Sequence, residues 1–211
     1  MKGILLDRYY KSIPDLRKIC ICIGVIAFAS MFVVENQIFL FALLLFWTAG
    51  IFLVVVKNEE KDLNCHWDRY EKMIPVKKWK IEMGKYLFYF VVQMTALIAA
   101  ISYFALVIGI RGIKIFDYGC KDIATMMAAD VVLALVPGAI FYALRAILKI
   151  KQYIIIALVS LMVTFVYGVT LVFLLNGWNV SLEISRGVLI GSSLGGYAVS
   201  FGVVRLCRGN G

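Results

Sequence analysis

Histidine is almost missing from these 211 residues: His66 stands alone. A single imidazole, with no second ligand or nucleophile in reach, excludes His-based metal sets and His-activated nucleophiles, and His66 reads as ordinary loop polarity. Proline is nearly as scarce, with only Pro14, Pro75 and Pro137, so long helices can run between them. The five cysteines make no framework. Cys20 and Cys22 lie in one apolar run, Cys65 and Cys207 in charged segments and Cys120 apart, without disulfide or metal-ligand spacing, and they read as packing residues. The chain also lacks G-x-x-x-x-G-K-[ST] and any Gly-rich strand-to-helix turn, so nothing in it cradles the phosphates of a nucleotide. Acidic residues number 13 against 22 Lys and Arg, and only Asp130 stands well inside an apolar run. Paired carboxylates for hydrolysis at that depth are therefore absent, and the expectation is a protein that is not itself an enzyme and holds no metal or cofactor.

What is present in excess is apolar sequence. Hydrophobic residues make up 63% and the mean hydropathy is +0.90, far beyond what a soluble core requires. Six runs are continuous enough to span a bilayer as helices, at 19–34, 38–56, 86–110, 123–144, 153–175 and 187–204. The expected fold class is an all-α membrane protein. A cleavable signal peptide is not expected, because a mixed polar and apolar segment precedes the first run and no small-residue cleavage site follows it. Of the 22 basic residues, 18 fall on one side of the six runs and only Arg111, Lys114, Lys121 and Arg186 on the other. That asymmetry places both termini and the 57–85 segment in the cytoplasm. The net charge of +9 is thus mainly a topology signal with some attraction for anionic membrane lipid. Basic residues divided among short membrane-flanking pieces do not suit nucleic acid.

Between the second and third runs, residues 57–85 hold 14 charged side chains. Asp62 or Asn64 is placed to cap a short helix that Pro75 ends, with 76–85 continuing into the third span. Trp67, Tyr70, Met73 and Ile74 recur at intervals of three and four, giving a charged helix one aromatic stripe. Such a stripe suits a protein-docking surface or a resting place on the lipid interface. At the N-terminus Leu5, Tyr9 and Ile13 repeat every four positions, with Asp7, Arg8 and Lys11 on other faces, before Pro14. This predicts an amphipathic helix over 3–13, broken at Pro14 and lying in the membrane interface.

The order of these elements, with Trp67-Asp68-Arg69-Tyr70-Glu71-Lys72-Met73-Ile74-Pro75-Val76 and the basic stretch that follows, resembles the small six-span bacterial permeases of type-2 ATP-binding-cassette exporters. The lettered match covers about 20 residues and the layout the whole chain; Lys77 and Lys78 depart from the small or neutral residue usual there. The resemblance implies a single permease domain over 1–211, multi-pass in a bacterial plasma membrane. It also implies that the segment holding Trp67, Asp68, Arg69, Tyr70, Glu71, Met73, Ile74 and Pro75 is a coupling helix docked on a separate ATPase subunit, with 3–13 as an interface helix beside it. ATP and Mg would be bound by that partner, and a second permease chain, identical or related, would complete the assembly. A non-transporting membrane anchor or sensor subunit is the alternative from a different class.

Further features bear on transport and packing. Asp130 is costly at its depth unless paired or wetted. It reads either as a structural partner of Arg111 or Lys114 near the outer boundary, or as part of the translocation path. Pro137-Gly138 bends the same span and frees carbonyls. Gly187, Gly191 and Gly195 repeat every four residues and allow close helix approach, within one subunit or across a dimer or moving interface. Trp178, Val180, Leu182 and Ile184, just before the sixth span, predict a short re-entrant or interfacial element. Spans rich in Phe, Leu, Ile and Val suit a hydrophobic or amphipathic cargo, amphipathic peptides included.

Overall fold

The structure, a computed structural model, describes residues 2–33, 37–65, 78–112, 120–148, 152–177 and 180–209. The apolar runs fold into six helices: α1 (Lys2–Val33), α2 (Gln37–Asn64), α3 (Lys78–Arg111), α4 (Cys120–Leu148), α5 (Tyr153–Gly177) and α6 (Leu182–Gly209). Among the described residues there is no strand. Five segments, Phe39–Asn64, Trp79–Ile110, Ile123–Leu148, Tyr153–Leu175 and Leu182–Cys207, are long and apolar enough to cross a membrane. α1 is not among those five; its polar first half is joined to an apolar second half.

The helices are longer than the apolar runs that predicted them. α2 continues through the charged residues to Asn64 and α3 begins at Lys78, so most of the expected 57–85 loop is helix. Asp62 and Asn64 consequently lie at the end of α2 instead of capping a separate short helix. The expected break at Pro14 is also corrected. α1 runs through it, because both flanks are pinned to α2: Arg8 pairs with Glu59 and Asp62, and Asp15 pairs with Lys61. Those contacts offset the one backbone donor that proline removes. At the opposite end, Leu182–Arg186 forms the first turn of α6, where the sequence predicted a re-entrant element. Arg186 there donates to Thr125 Oγ1 and to the Lys121 carbonyl, tying α6 to α4.

The core lies where α2, α3, α4 and α6 meet, and it is aromatic. Phe52, Tyr86, Tyr89, Phe141 and Tyr142 are all buried and meet largely edge to face, as between Phe52 and Tyr89 at 6.1 Å and 86°. The tyrosine hydroxyls mostly find partners: Tyr86 meets Ser200 at 2.7 Å, and Tyr197 donates to the Tyr86 carbonyl at 2.8 Å. Tyr89 is fully buried against Pro137-Gly138 and donates its hydroxyl to the Ala134 carbonyl. A Cβ on Gly138 would stand well inside contact distance of the Tyr89 ring, so only glycine admits the ring here. Proline leaves one gap in the α4 ladder, and Tyr89 fills the space beside it. Much of α5 and α6 faces outward, with Phe165 and Phe173 each about three-quarters exposed, as lipid-facing helices require.

Candidate functional site

Two polar sites are built into this apolar bundle. The first occupies the end that carries both termini. Glu59, on the extended part of α2, is 1% exposed and is held between two guanidiniums: Arg8 of α1, and Arg145 of α4 at 2.6 Å. Arg145 also lies over the Tyr153 ring, 4.9 Å from its centre, which brings α5 into the cluster. Arg8 reaches on to Asp62 at 3.3 Å, and Lys11 meets Asp62 at 3.2 Å and Asp7 at 2.8 Å. Asn58 donates to Ser12 Oγ at 2.7 Å, completing the α1–α2 seam. On α3 the buried Lys85 and Glu82 pair at 3.4 Å. The Lys61 ammonium, hydrogen-bonded to Asp15, holds that carboxyl below its ordinary range.

A buried triad of this sort costs desolvation that offsets much of its own attraction, so its net stabilisation is small, while removing one partner is strongly destabilising. Here it fixes α1, α2, α4 and α5 to one another within a few residues of Cys65, where α2 gives way to the segment linking it to α3. Trp67, Asp68, Arg69, Tyr70, Glu71, Met73, Ile74 and Pro75 lie in that segment, outside the described residues. Sequence reasoning missed the triad. Arg8, Glu59 and Arg145 are separated by 51 and 86 positions, and each looked like ordinary membrane-flanking charge. The available signal was that Arg145 stands within an apolar run on both sides, where a lone cation needs a partner.

The second site is at mid-bundle. Asp130 of α4 is fully buried and accepts a hydrogen bond from Thr48 of α2, while its other oxygen, Oδ2, has no hydrogen-bond partner among the described residues. This partner differs from the two that the sequence singled out: Lys114 lies outside the described residues, and nothing is described of the Arg111 side chain. On α3, Gln93 is likewise fully buried, donates to the Tyr89 hydroxyl at 3.3 Å and leaves its Oε1 unpartnered. α3 and α4 are antiparallel, and Tyr89 meets Ala134. One turn further along each helix therefore sets Gln93 level with Asp130. The sequence pointed to Asp130 but not to Thr48 or Gln93, whose uncharged side chains are unremarkable until helix register places them beside it.

Among the described residues no atom of another helix lies within 4 Å of where a Cβ would stand on Gly187, Gly191 or Gly195. The opposite face of α6, with Leu189, Ser193, Tyr197 and Ser200, makes the contacts to the bundle. Among the described residues no group of His, Cys, Asp and Glu side chains suits a metal ion.

A bundle whose described residues are helical, with five membrane-length apolar helices, defines a multi-pass membrane protein. Residues 5–204 match the family model described as ABC-2 family transporter protein, and the chain belongs to that family. No curated protein and no solved structure matches it.

Proposed function

We propose that this chain is the permease subunit of an ATP-driven exporter of hydrophobic or amphipathic substrates, amphipathic peptides being the favoured cargo. The observation that carries the reading is the family match across nearly the whole chain. ATP and Mg are assigned to a separate ATPase subunit, in keeping with the missing phosphate loop. The docking element is the 67–75 segment, with Trp67, Tyr70, Met73 and Ile74 as its apolar stripe. Its position in the chain, directly after the α2 residues that carry the Glu59 cluster, supports this, because that cluster braces four helices. Six spans and both termini in the cytoplasm are read from the apolar runs and the basic asymmetry, and a bacterial plasma membrane from the family resemblance.

Asp130, with Thr48 and Gln93 beside it, is assigned to the translocation path. A second permease chain is placed against the outward glycine face of α6, where Gly187, Gly191 and Gly195 leave room for close helix approach.

The test is co-purification of the full chain from its membrane, with and without the double substitution Trp67→Ala/Ile74→Ala, followed by an ATPase assay. A stoichiometric ATPase that the double variant loses is the expected result. A chain that comes down alone, or keeps its ATPase in the double variant, would overturn the docking assignment and favour an anchor or sensor subunit.

A further inference from the structure

Two apolar cavities of about 550 and 490 Å³ lie end to end between α1, α2 and α3. Trp47 and Ala99 line both, so they form one groove running along the helices. Its α1 wall includes Leu6 near one end and Gly24 further on. Arg17 stands 11 residues after Leu6 and seven before Gly24, intervals that keep all three on one face of the helix. The Arg17 side chain is exposed and makes no ion pair or hydrogen bond among the described residues.

Its level along the bundle is set by its neighbours. Arg8 of α1 meets Glu59 of α2, Ser12 meets Asn58, and Ile19 and Ile23 lie against Gly50, so antiparallel register sets Arg17 level with about residue 54. That is roughly 4–5 Å further along α2 than Lys57, its first charge, at the edge of the apolar run. A guanidinium there needs an anion within reach, and its flexible stem can extend toward the headgroups.

We infer that the α1–α2–α3 groove binds an anionic phospholipid of the leaflet at the basic end, with an acyl chain along Trp47 and Ala99 and the phosphate on Arg17. Charge complementarity selects the lipid, and the nearly all-apolar wall fits its chain. The site depends on membrane embedding and not on the ATPase pairing, so failure of either leaves the other standing.

Trp47 supplies the probe. The full chain is placed in phosphatidylcholine vesicles containing a small fraction of brominated-chain phosphatidylglycerol or, in parallel, brominated-chain phosphatidylcholine. Trp47 quenching is taken as the difference from Trp47→Phe. Phosphatidylglycerol should quench at about fivefold lower mole fraction, the factor one basic side chain contributes at an anionic surface. Arg17→Gln should abolish that preference while leaving quenching by phosphatidylcholine unchanged, and Arg17→Lys should retain it. Equal quenching by the two lipids in the unmodified chain, or a preference surviving Arg17→Gln, would overturn the site. So would an unquenched Trp47 together with Cys20–Cys20 cross-linking between two chains, which would show the groove covered by a second copy.

Discussion

Replacing Glu59 with glutamine removes one negative charge and almost no volume, yet it should be among the most damaging single changes in the protein. The side chains of Arg8, Glu59 and Arg145 are 6%, 1% and 11% exposed, so neither guanidinium can turn to bulk water when the Glu59 charge disappears, although Arg8 keeps Asp62 at 3.3 Å. Breaking a buried pair from one side costs about 3–5 kcal/mol. At about 2–4 °C per kcal/mol for a chain of this size, the midpoint of thermal unfolding in detergent should fall by about 6–20 °C. A companion variant, Arg8→Leu/Glu59→Leu/Arg145→Met, replaces the whole triad with apolar groups and should recover most of that loss. Under the proposed function, the recovered protein should still show impaired coupling of the partner ATPase. The readout is the unfolding midpoint of purified protein by size-exclusion fluorescence. A fall of less than about 2 °C for Glu59→Gln would refute the reasoning, because it would mean that the guanidiniums reach water or other anions at little cost.

Gly138→Ala should destabilise by about 1–3 kcal/mol through the forced shift of the Tyr89 ring, whereas Gly196→Ala, with nothing within 4 Å, should be silent in the same melt. Asp130→Asn keeps an acceptor for Thr48 and near-identical volume. It should leave the unfolding midpoint and ATPase co-purification intact while removing the response of ATPase rate to candidate amphipathic peptides; an unchanged response would take Asp130 out of the path.

The helices were legible because apolar runs of this length have few alternatives in a bilayer. Their ends were not. Hydropathy stops α2 at the first lysine, but the helix continues to Asn64 because Glu59 and Asp62 find cations on other helices. Pro14 misled for the same reason: a local rule about a missing donor was outweighed by ion pairs made 46 to 54 positions away. Asp130 could be found because a lone acid in an apolar run is conspicuous, whereas Thr48 and Gln93 needed register. The glycine repeat was visible, but periodicity cannot tell which face of α6 meets the bundle. Its larger neighbours Leu189, Tyr197 and Ser200 took that face, and the glycines were left outward.

The two polar sites acquire a joint meaning from the way α2 and α4 are fastened. They run parallel and are tied twice, at Thr48–Asp130 and at Glu59–Arg145. The ties are 11 residues apart on α2 and 15 on α4, about 16 and 22 Å along the two axes. Between the ties α2 has no proline, but α4 has Pro137, where the ladder lacks a donor, followed by the glycine against which Tyr89 of α3 is wedged. A displacement applied at the basic end of α2 must therefore carry Arg145 with it. The part of α4 that holds Asp130 can respond independently only by bending at Pro137-Gly138, the weakest point of its hydrogen-bonded ladder. The wedge keeps that point from closing, because Tyr89 already fills the space a bend would use. The charged end and the mid-bundle site thus share the same two helices, tied by one ion pair and one hydrogen bond, with the Tyr89 ring of α3 packed at the proline between them.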